Sequence, residues 1–402
     1  MVLKLKFSLV LFIIFIILIK PQILFSQFEY EKSLDETFNK AKNTNKLVFI
    51  KYYSENCSHC KQLQTVLETD SVKTFYQQNF ICYRIEFEHA SKDDLDFLKK
   101  NKLYFENVPY LLFFDSNRQF LHYGNPKQES SAVIKTGKTA LDPFERTSNL
   151  KNRYQSGERE LTMLKRYSKW AQIQKDTSVS NKLGNDIFDL FPKSELNSKQ
   201  SFIILANYVT SINNGFFKFW IENWAELDKI EFDKTVDKKK VFHELIMNEI
   251  NYNKKKWSIN DYSKIRKYIE ISGLSSNPYS FFWEEESSKL VQFGKEKEAL
   301  ELAFKLMSLD SLKPHNLVYQ ISYFSHLFTE KENLEKLRKN LIQIQKRIEI
   351  PELKAELYIY HYRIAKKLGE KKIVEEIIKE GENYYSKNNI DNSSWKEAIK
   401  QQ

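Results

Sequence analysis

Glycine and proline are scarce in this sequence, at 9 and 8 residues in 402. A chain so short of helix breakers suits long helices. Cysteine is scarcer still, at three residues. Two of them make a single Cys-X-X-Cys, Cys57 to Cys60, and no second Cys-X-X-Cys or His-X-X-His follows. A structural zinc site needs about four ligands, so half of one is missing. Clustered basic charge is missing too. The formal net charge is +10, but the basic residues are dispersed among acids. The tight runs are Lys238-Lys239-Lys240 and Lys254-Lys255-Lys256, which read as solvated helix ends, with a partner or membrane-surface contact as the alternative. A nucleic-acid footprint would need clustering. Residues 27–150 balance 17 basic against 17 acidic side chains.

The long apolar run lies at the N-terminus. Lys4 and Lys6 precede an almost unbroken apolar stretch from Phe7 to Ile19. It is shorter than the roughly 18 residues of a membrane span. Small and polar residues follow, with Ser26-Gln27 as a cleavage point. Residues 1–26 therefore read as a secretory signal peptide, with an uncleaved anchor as the alternative. The expectation is an exported protein, periplasmic or extracellular, with no stable membrane span after cleavage. No cysteine adjoins Ser26-Gln27, which argues against a lipid-modified N-terminal cysteine.

What is present centres on Leu47 to Leu67. Leu47-Val48-Phe49-Ile50-Lys51-Tyr52-Tyr53 is short, apolar, and β-branched or aromatic, like a buried central strand. Ser54-Glu55-Asn56 breaks it, and Leu63, Val66 and Leu67 then follow helical spacing. Cys57-Ser58-His59-Cys60 thus sits where a strand ends and a helix begins. The first N–H groups of a helix lack intrahelical acceptors and the dipole is positive there, so both favour a thiolate at Cys57. Spacing i, i+3 brings the sulfurs to one side of the first turn. His59 can add positive charge beside them. This is a dithiol suited to electron exchange. A structural disulfide across so short a loop would stabilise little. A Cu(I) site using Cys57, Cys60 and a distant His89 is an alternative, because soft thiolates suit that ion.

Helix and strand then alternate. Helices are expected over Ser33–Lys42, from an Asp70 cap, from a Ser91 cap, and over Ser130–Leu141. Strands are expected at Ile81–Phe87, Tyr110–Asp115 and Gln119–Tyr123. The alternation is that of an α/β sheet. Cys82 falls in a strand and reads as an inert buried residue, with a third redox thiol as the sharper alternative. Asp142-Pro143 marks a boundary, and only helical patterns follow. One apolar stripe joins Leu161, Leu164, Tyr167, Trp170 and Ala171; another joins Phe216, Phe219, Trp220, Asn223 and Trp224, with one polar break at Asn223. Helix starts are expected at Ser258-Ile259-Asn260-Asp261 and Thr329-Glu330-Lys331-Glu332. Two helix–Gly–helix segments around Gly294 and Gly369 resemble each other, 75 residues apart. That is about twice a tetratricopeptide period, so the array is irregular and only weakly tetratricopeptide-like.

Cys57-Ser58-His59-Cys60 after a strand resembles the active site of the thioredoxin superfamily. Val108-Pro109, 49 residues after Cys60, resembles the cis-proline site that faces the dithiol in that fold. The resemblance spans about Phe28 to Leu141. More narrowly, the chain resembles secreted bacterial thioredoxin-like proteins with a long helical C-terminal region. Its Ser-His dipeptide is closer to disulfide isomerases and disulfide-introducing oxidases than to the Gly-Pro of thioredoxin. The resemblance implies a thioredoxin-like α/β domain over 27–143 and an all-helical domain over 144–402. It implies a thiol–disulfide oxidoreductase acting on protein thiols and disulfides, with an unidentified redox partner and no organic cofactor. Cys57 would attack, Cys60 would resolve, and Val108 and Pro109 would position the substrate strand. His59 favours the oxidant direction. Two departures stand out: Lys51 where thioredoxins carry a buried Asp, and Asn56 where they carry Trp. Lys51 either tunes the dithiol or sends its ammonium to the surface. The helical region is a candidate surface for a protein partner. A vestigial dithiol on a partner-binding protein is the remaining alternative.

Overall fold

The computed structural model describes residues 28–105, 107–232 and 236–400. The expected signal segment, 1–26, lies outside them. The described residues form two compact units that divide between Phe191 and Pro192.

The first unit is built on a four-stranded sheet. In chain order it holds α1 (Leu34–Thr44), β1 (Leu47–Tyr53), α2 (Ser58–Leu67), α3 (Asp70–Asn79), β2 (Phe80–Glu86), α4 (Lys92–Lys100), β3 (Tyr110–Phe114), β4 (Phe120–Gly124) and α5 (Ser130–Leu141). The strand order is β2-β1-β3-β4. β1 runs parallel to β2 and antiparallel to β3, which in turn pairs antiparallel with β4. β1 is central and covered on both sides, which is why it reads as a continuous apolar run. Its alternation sorts the two cores. Val48, Ile50 and Tyr52 pack with Leu34 and Phe38 of α1 and Phe97 and Leu98 of α4. Phe49 packs with Leu63 and Leu67 of α2, Val72 and Tyr76 of α3, and Val133 and Ala140 of α5. Lys51 shares the parity of Phe49, so it points to the layer that contains α2.

Local chemistry explains most element ends. Ser33 Oγ accepts from the Glu36 amide at the start of α1. Ser91 and Asp94 form a reciprocal capping box on α4. Asp70 differs from expectation. It is the first residue of α3, the cap position belongs to Thr69, and no side chain accepts there. An acid at that position still suits the dipole, so a cap and a first-turn acid look alike in sequence.

The compact unit does not stop at Asp142-Pro143, where the sequence places its boundary. It continues through α6 (Leu150–Gln155), α7 (Leu161–Ile173) and α8 (Thr177–Leu190). Trp170 of α7 stacks on Phe120 of β4, centroids 4.3 Å apart and rings within 3° of parallel. It also stacks on Tyr123 at 5.4 Å. Gln174 donates to the Lys102 carbonyl at 2.6 Å. The outer strand of the sheet is thus covered by a helix from beyond the expected boundary.

The second unit is helical throughout its described residues, with twelve α-helices from Lys199–Tyr208 to Ser393–Lys400. The expected stripe from Phe216 to Trp224 is broken, because Asn223 leaves helical geometry between Gly215–Glu222 and Trp224–Asp228. The two related segments are helix–Gly–helix hairpins. Gly294 joins Trp283–Gln292 to Glu296–Leu309, and Gly369 joins Pro351–Leu368 to Lys371–Lys387. Their φ angles, 69° and 74°, are positive, where glycine has no Cβ penalty. Ser258 and Asp261 cap Ile259–Ser272 as expected. The helix Lys331–Arg347 starts differently. Buried Glu296, from another helix, accepts from the amides of Thr329 and Glu330.

Candidate active site

Cys57 is the N-cap of α2. Its Sγ accepts from the Cys60 amide at 3.2 Å, and its carbonyl accepts from the amides of Cys60 and Lys61. The cap arises because β1 ends at Tyr53, and Ser54 then folds back the loop. The Cys57 amide donates to the Ser54 carbonyl, and the Asn56 amide to Ser54 Oγ at 3.1 Å. Ser54 is itself buried, with its hydroxyl on Glu88. Cys57 is half-buried, whereas Cys60, one turn along, is 2% exposed. The two sulfurs therefore differ in access to a macromolecular substrate.

The opposite wall comes from the start of β3. The Val108–Pro109 bond is cis, and the Val108 carbonyl lies 3.7 Å from Cys57 Sγ. β3 is antiparallel to β1, so its first residue, Tyr110, pairs with Tyr52 at the end where β1 delivers the cysteines. This brings together Cys57 and Val108, 51 positions apart in sequence. His59 is exposed on the first turn of α2.

Lys51 does not reach the surface. It is 3% exposed, its Nζ donates to Gln64 Oε1, and it lies 4.2 Å from the centroid of the Tyr53 ring. Burial pushes its pKa down to about 8, against the opposing pull of Cys60. Burial likewise pushes the Cys60 thiol up to about 11, followed by its contact with Cys57. The Lys51 charge and a hydrogen bond from the Ser54 backbone partly offset that rise.

Sequence reasoning missed Gln64 and Glu68. Gln64 Nε2 donates to Glu68 Oε1 at 2.6 Å, and Glu68 Oε2 accepts from the Phe28 amide at 2.9 Å. The signal was present as Cys60, Gln64 and Glu68 at i, i+4 and i+8, a polar line beside the Leu63–Leu67 stripe.

His89 is not brought to the cysteines. It pairs with Glu86 at 3.0 Å on an exposed segment. Among the described residues, no three His, Cys, Asp or Glu side chains converge as metal ligands. The copper set of Cys57, Cys60 and His89 is therefore not assembled. Cys82 is in β2, 4% exposed, beside Phe49. Burial pushes its thiol strongly up.

No curated protein matches the chain. Residues 29–116 match a family model described as thioredoxin-like, and they include β1, the cysteine pair, the cis-proline and β3. The N-terminal domain of this chain is a thioredoxin-superfamily domain, and a long run of helices follows it.

Proposed function

We propose that the protein is an exported thiol–disulfide oxidoreductase that exchanges disulfides with protein substrates through Cys57 and Cys60. One observation carries this reading. Cys57 Sγ caps a helix N-terminus, faces the carbonyl of a cis X-Pro bond, and has a buried second cysteine behind it. A helix N-terminus presents N–H groups without intrahelical acceptors to the atom that caps it, and the Cys60 amide donates to this one. An extended substrate can lie along Val108 and Pro109. In exchange, one thiolate attacks a disulfide sulfur and the other thiol resolves the mixed disulfide. His59 is exposed on the first turn of α2, and an imidazolium in the dipeptide between the cysteines would favour the reduced form and so the oxidant direction.

Export rests on the sequence of residues 1–26. No helix among the described residues is long and apolar enough to cross a membrane. The helical hairpins serve in this proposal as the surface for a protein partner.

Insulin reduction by the full-length protein with a dithiol donor, against Cys57→Ser, tests the reading. Wild type accelerates precipitation of the insulin B chain and the variant does not. Equal rates for the two proteins would sink it.

A further inference from the structure

Arg266, Arg338 and Arg363 are the half-buried arginines of the helical unit. Arg266 pairs with Glu286, and Arg338 with Glu370. Arg363 pairs with no carboxylate among the described residues; it meets Ser325 Oγ at 3.3 Å and His326 Nδ1 at 3.0 Å. Both contacts use Nη1, which leaves Nε and Nη2. Those two nitrogens form an edge of the guanidinium that grips a carboxylate with two parallel hydrogen bonds. The His326 contact is itself compromised, because its Nδ1 also lies 2.8 Å from the Ser322 carbonyl. One ring nitrogen cannot donate to a carbonyl and accept from a guanidinium at once.

Lys367 stands one turn along the same helix, Pro351–Leu368. Its Nζ donates to the carbonyls of His326 and Phe328, each at 2.8 Å. An ammonium has three donors, so one remains. Both cations thus close on the C-terminal end of the helix Pro314–Leu327. That end carries roughly half a negative charge, against two full positive ones. Glu296, the acid that draws on Lys367, is committed to the amides of Thr329 and Glu330. Burial lowers the proton affinity of both cations, and repulsion by Arg363 lowers that of Lys367 further. A bound anion would relieve that repulsion.

An aromatic strip adjoins the cations. Tyr319, Tyr323 and His326 fall at i, i+4 and i+7, on one face of Pro314–Leu327. Tyr319 is 54% exposed and Tyr323 is half-buried. Both hydroxyls bond to Glu284 of the helix Trp283–Gln292, which holds the two rings in place. Fixed aromatic rings beside an unpaired arginine are the residue types enriched where proteins dock.

We infer that Arg363 and Lys367, beside His326, form the carboxylate-binding end of a docking face for an acidic segment of a partner protein, with Tyr319 and Tyr323 receiving apolar groups next to that carboxylate. The inference deepens the partner-surface part of the reading above and rests on it. The carboxylate accepts from Nε and Nη2 of Arg363 and from the remaining donor of Lys367. Arg363 then no longer depends on His326 Nδ1, which donates to the Ser322 carbonyl.

The probe is a fluorescein-labelled hexaglutamate with an amidated C-terminus, its binding to the full-length protein followed by anisotropy at physiological salt. Wild type binds it and does not bind the hexaglutamine counterpart. Arg363→Gln weakens binding about tenfold, as for the loss of a bidentate charged contact. Arg363→Lys keeps the charge without the fork; it weakens binding about threefold and stands in for the glutamine variant if that one unfolds. Lys336→Met removes an exposed cation paired with Glu332 in the same unit and leaves binding unchanged. Equal weakening in Lys336→Met and Arg363→Gln would assign binding to net charge and overturn the inference, as would wild-type affinity in both Arg363 variants. A hexaglutamine carrying one phosphoserine that binds more tightly than hexaglutamate would overturn the carboxylate assignment. Insulin reduction by the same wild-type preparation reads the exchange chemistry separately: a protein that reduces insulin and binds no acidic peptide overturns this inference alone.

Discussion

Cys82 and Lys51 lie on the same face of the sheet, two positions apart in register, and burial acts on them in opposite senses. A buried thiol keeps its proton and becomes a small hydrophobe. A buried ammonium tends to lose its proton and becomes a base. Cys82 Sγ has a weak contact with the Phe80 carbonyl, at 3.9 Å. Peptide mapping of the air-oxidised protein is therefore expected to find the 57–60 bridge alone, and Cys82→Ala to exchange at the wild-type rate. A substantial bridge to Cys82 would overturn this. At this scale the sequence was legible where chemistry is local. Cys57 and Cys60 at a strand–helix junction are such a case, whereas Val108-Pro109 was read through the resemblance alone, since its contact with Cys57 spans 51 residues. Where Lys51 points was half legible. Alternation assigns it to the face of Phe49, but only the position of α2 shows whether that face is closed. Gln64 and Glu68 were illegible, because their roles depend on partners on other elements.

The same distinction holds for elements. Ser91 with Asp94 and Ser258 with Asp261 are caps supplied within four residues, and both were readable. The start of Lys331–Arg347 was read at the right place, but its acceptors were not, because Glu296 supplies them from 33 and 34 residues away. His122 is a further long-range clasp. It lies on β4, 7% exposed, and its Nδ1 accepts from the Thr147 amide at 3.3 Å and meets Thr147 Oγ1 at 2.7 Å. Burial lowers its pKa to about 3, with Arg166 and Arg146 adding repulsion of the charged form. The ring is neutral in the fold, whereas the unfolded value is about 6.5. Its contribution to stability is therefore complete above about 6.5 and is lost as pH falls toward 3. The loss is roughly 1.4 kcal/mol per pH unit within that window. Urea unfolding of the first unit, followed across the window, should show a steeper decline in wild type than in His122→Gln, which cannot titrate. Parallel declines would assign the pH dependence to other groups.

For the whole molecule, the strand–helix alternation that ends at Leu141 was legible, and so was the absence of strand patterns beyond it. The extent of the first compact unit was not. The stripe of Leu164, Tyr167 and Trp170 has the same 3.6-residue period whether a helix packs on a sheet or on other helices. In the structure Trp170 lies flat on Phe120 and beside Tyr123. Thr147, on which His122 depends, also lies beyond Pro143. Removing these residues uncovers three aromatic side chains of the outer strand. The half-buried Trp170 alone is worth on the order of 2 kcal/mol of apolar burial. A fragment of residues 28–191 is therefore expected to fold and to keep the Cys57–Cys60 exchange. A fragment of residues 28–143 should unfold at lower urea or aggregate through β4, although it holds every residue of the dithiol site. Tryptophan fluorescence cannot compare them, because 28–143 contains no tryptophan; circular dichroism during urea titration can. Coincident transitions for the two fragments would show that α6 to α8 cover the sheet without stabilising it.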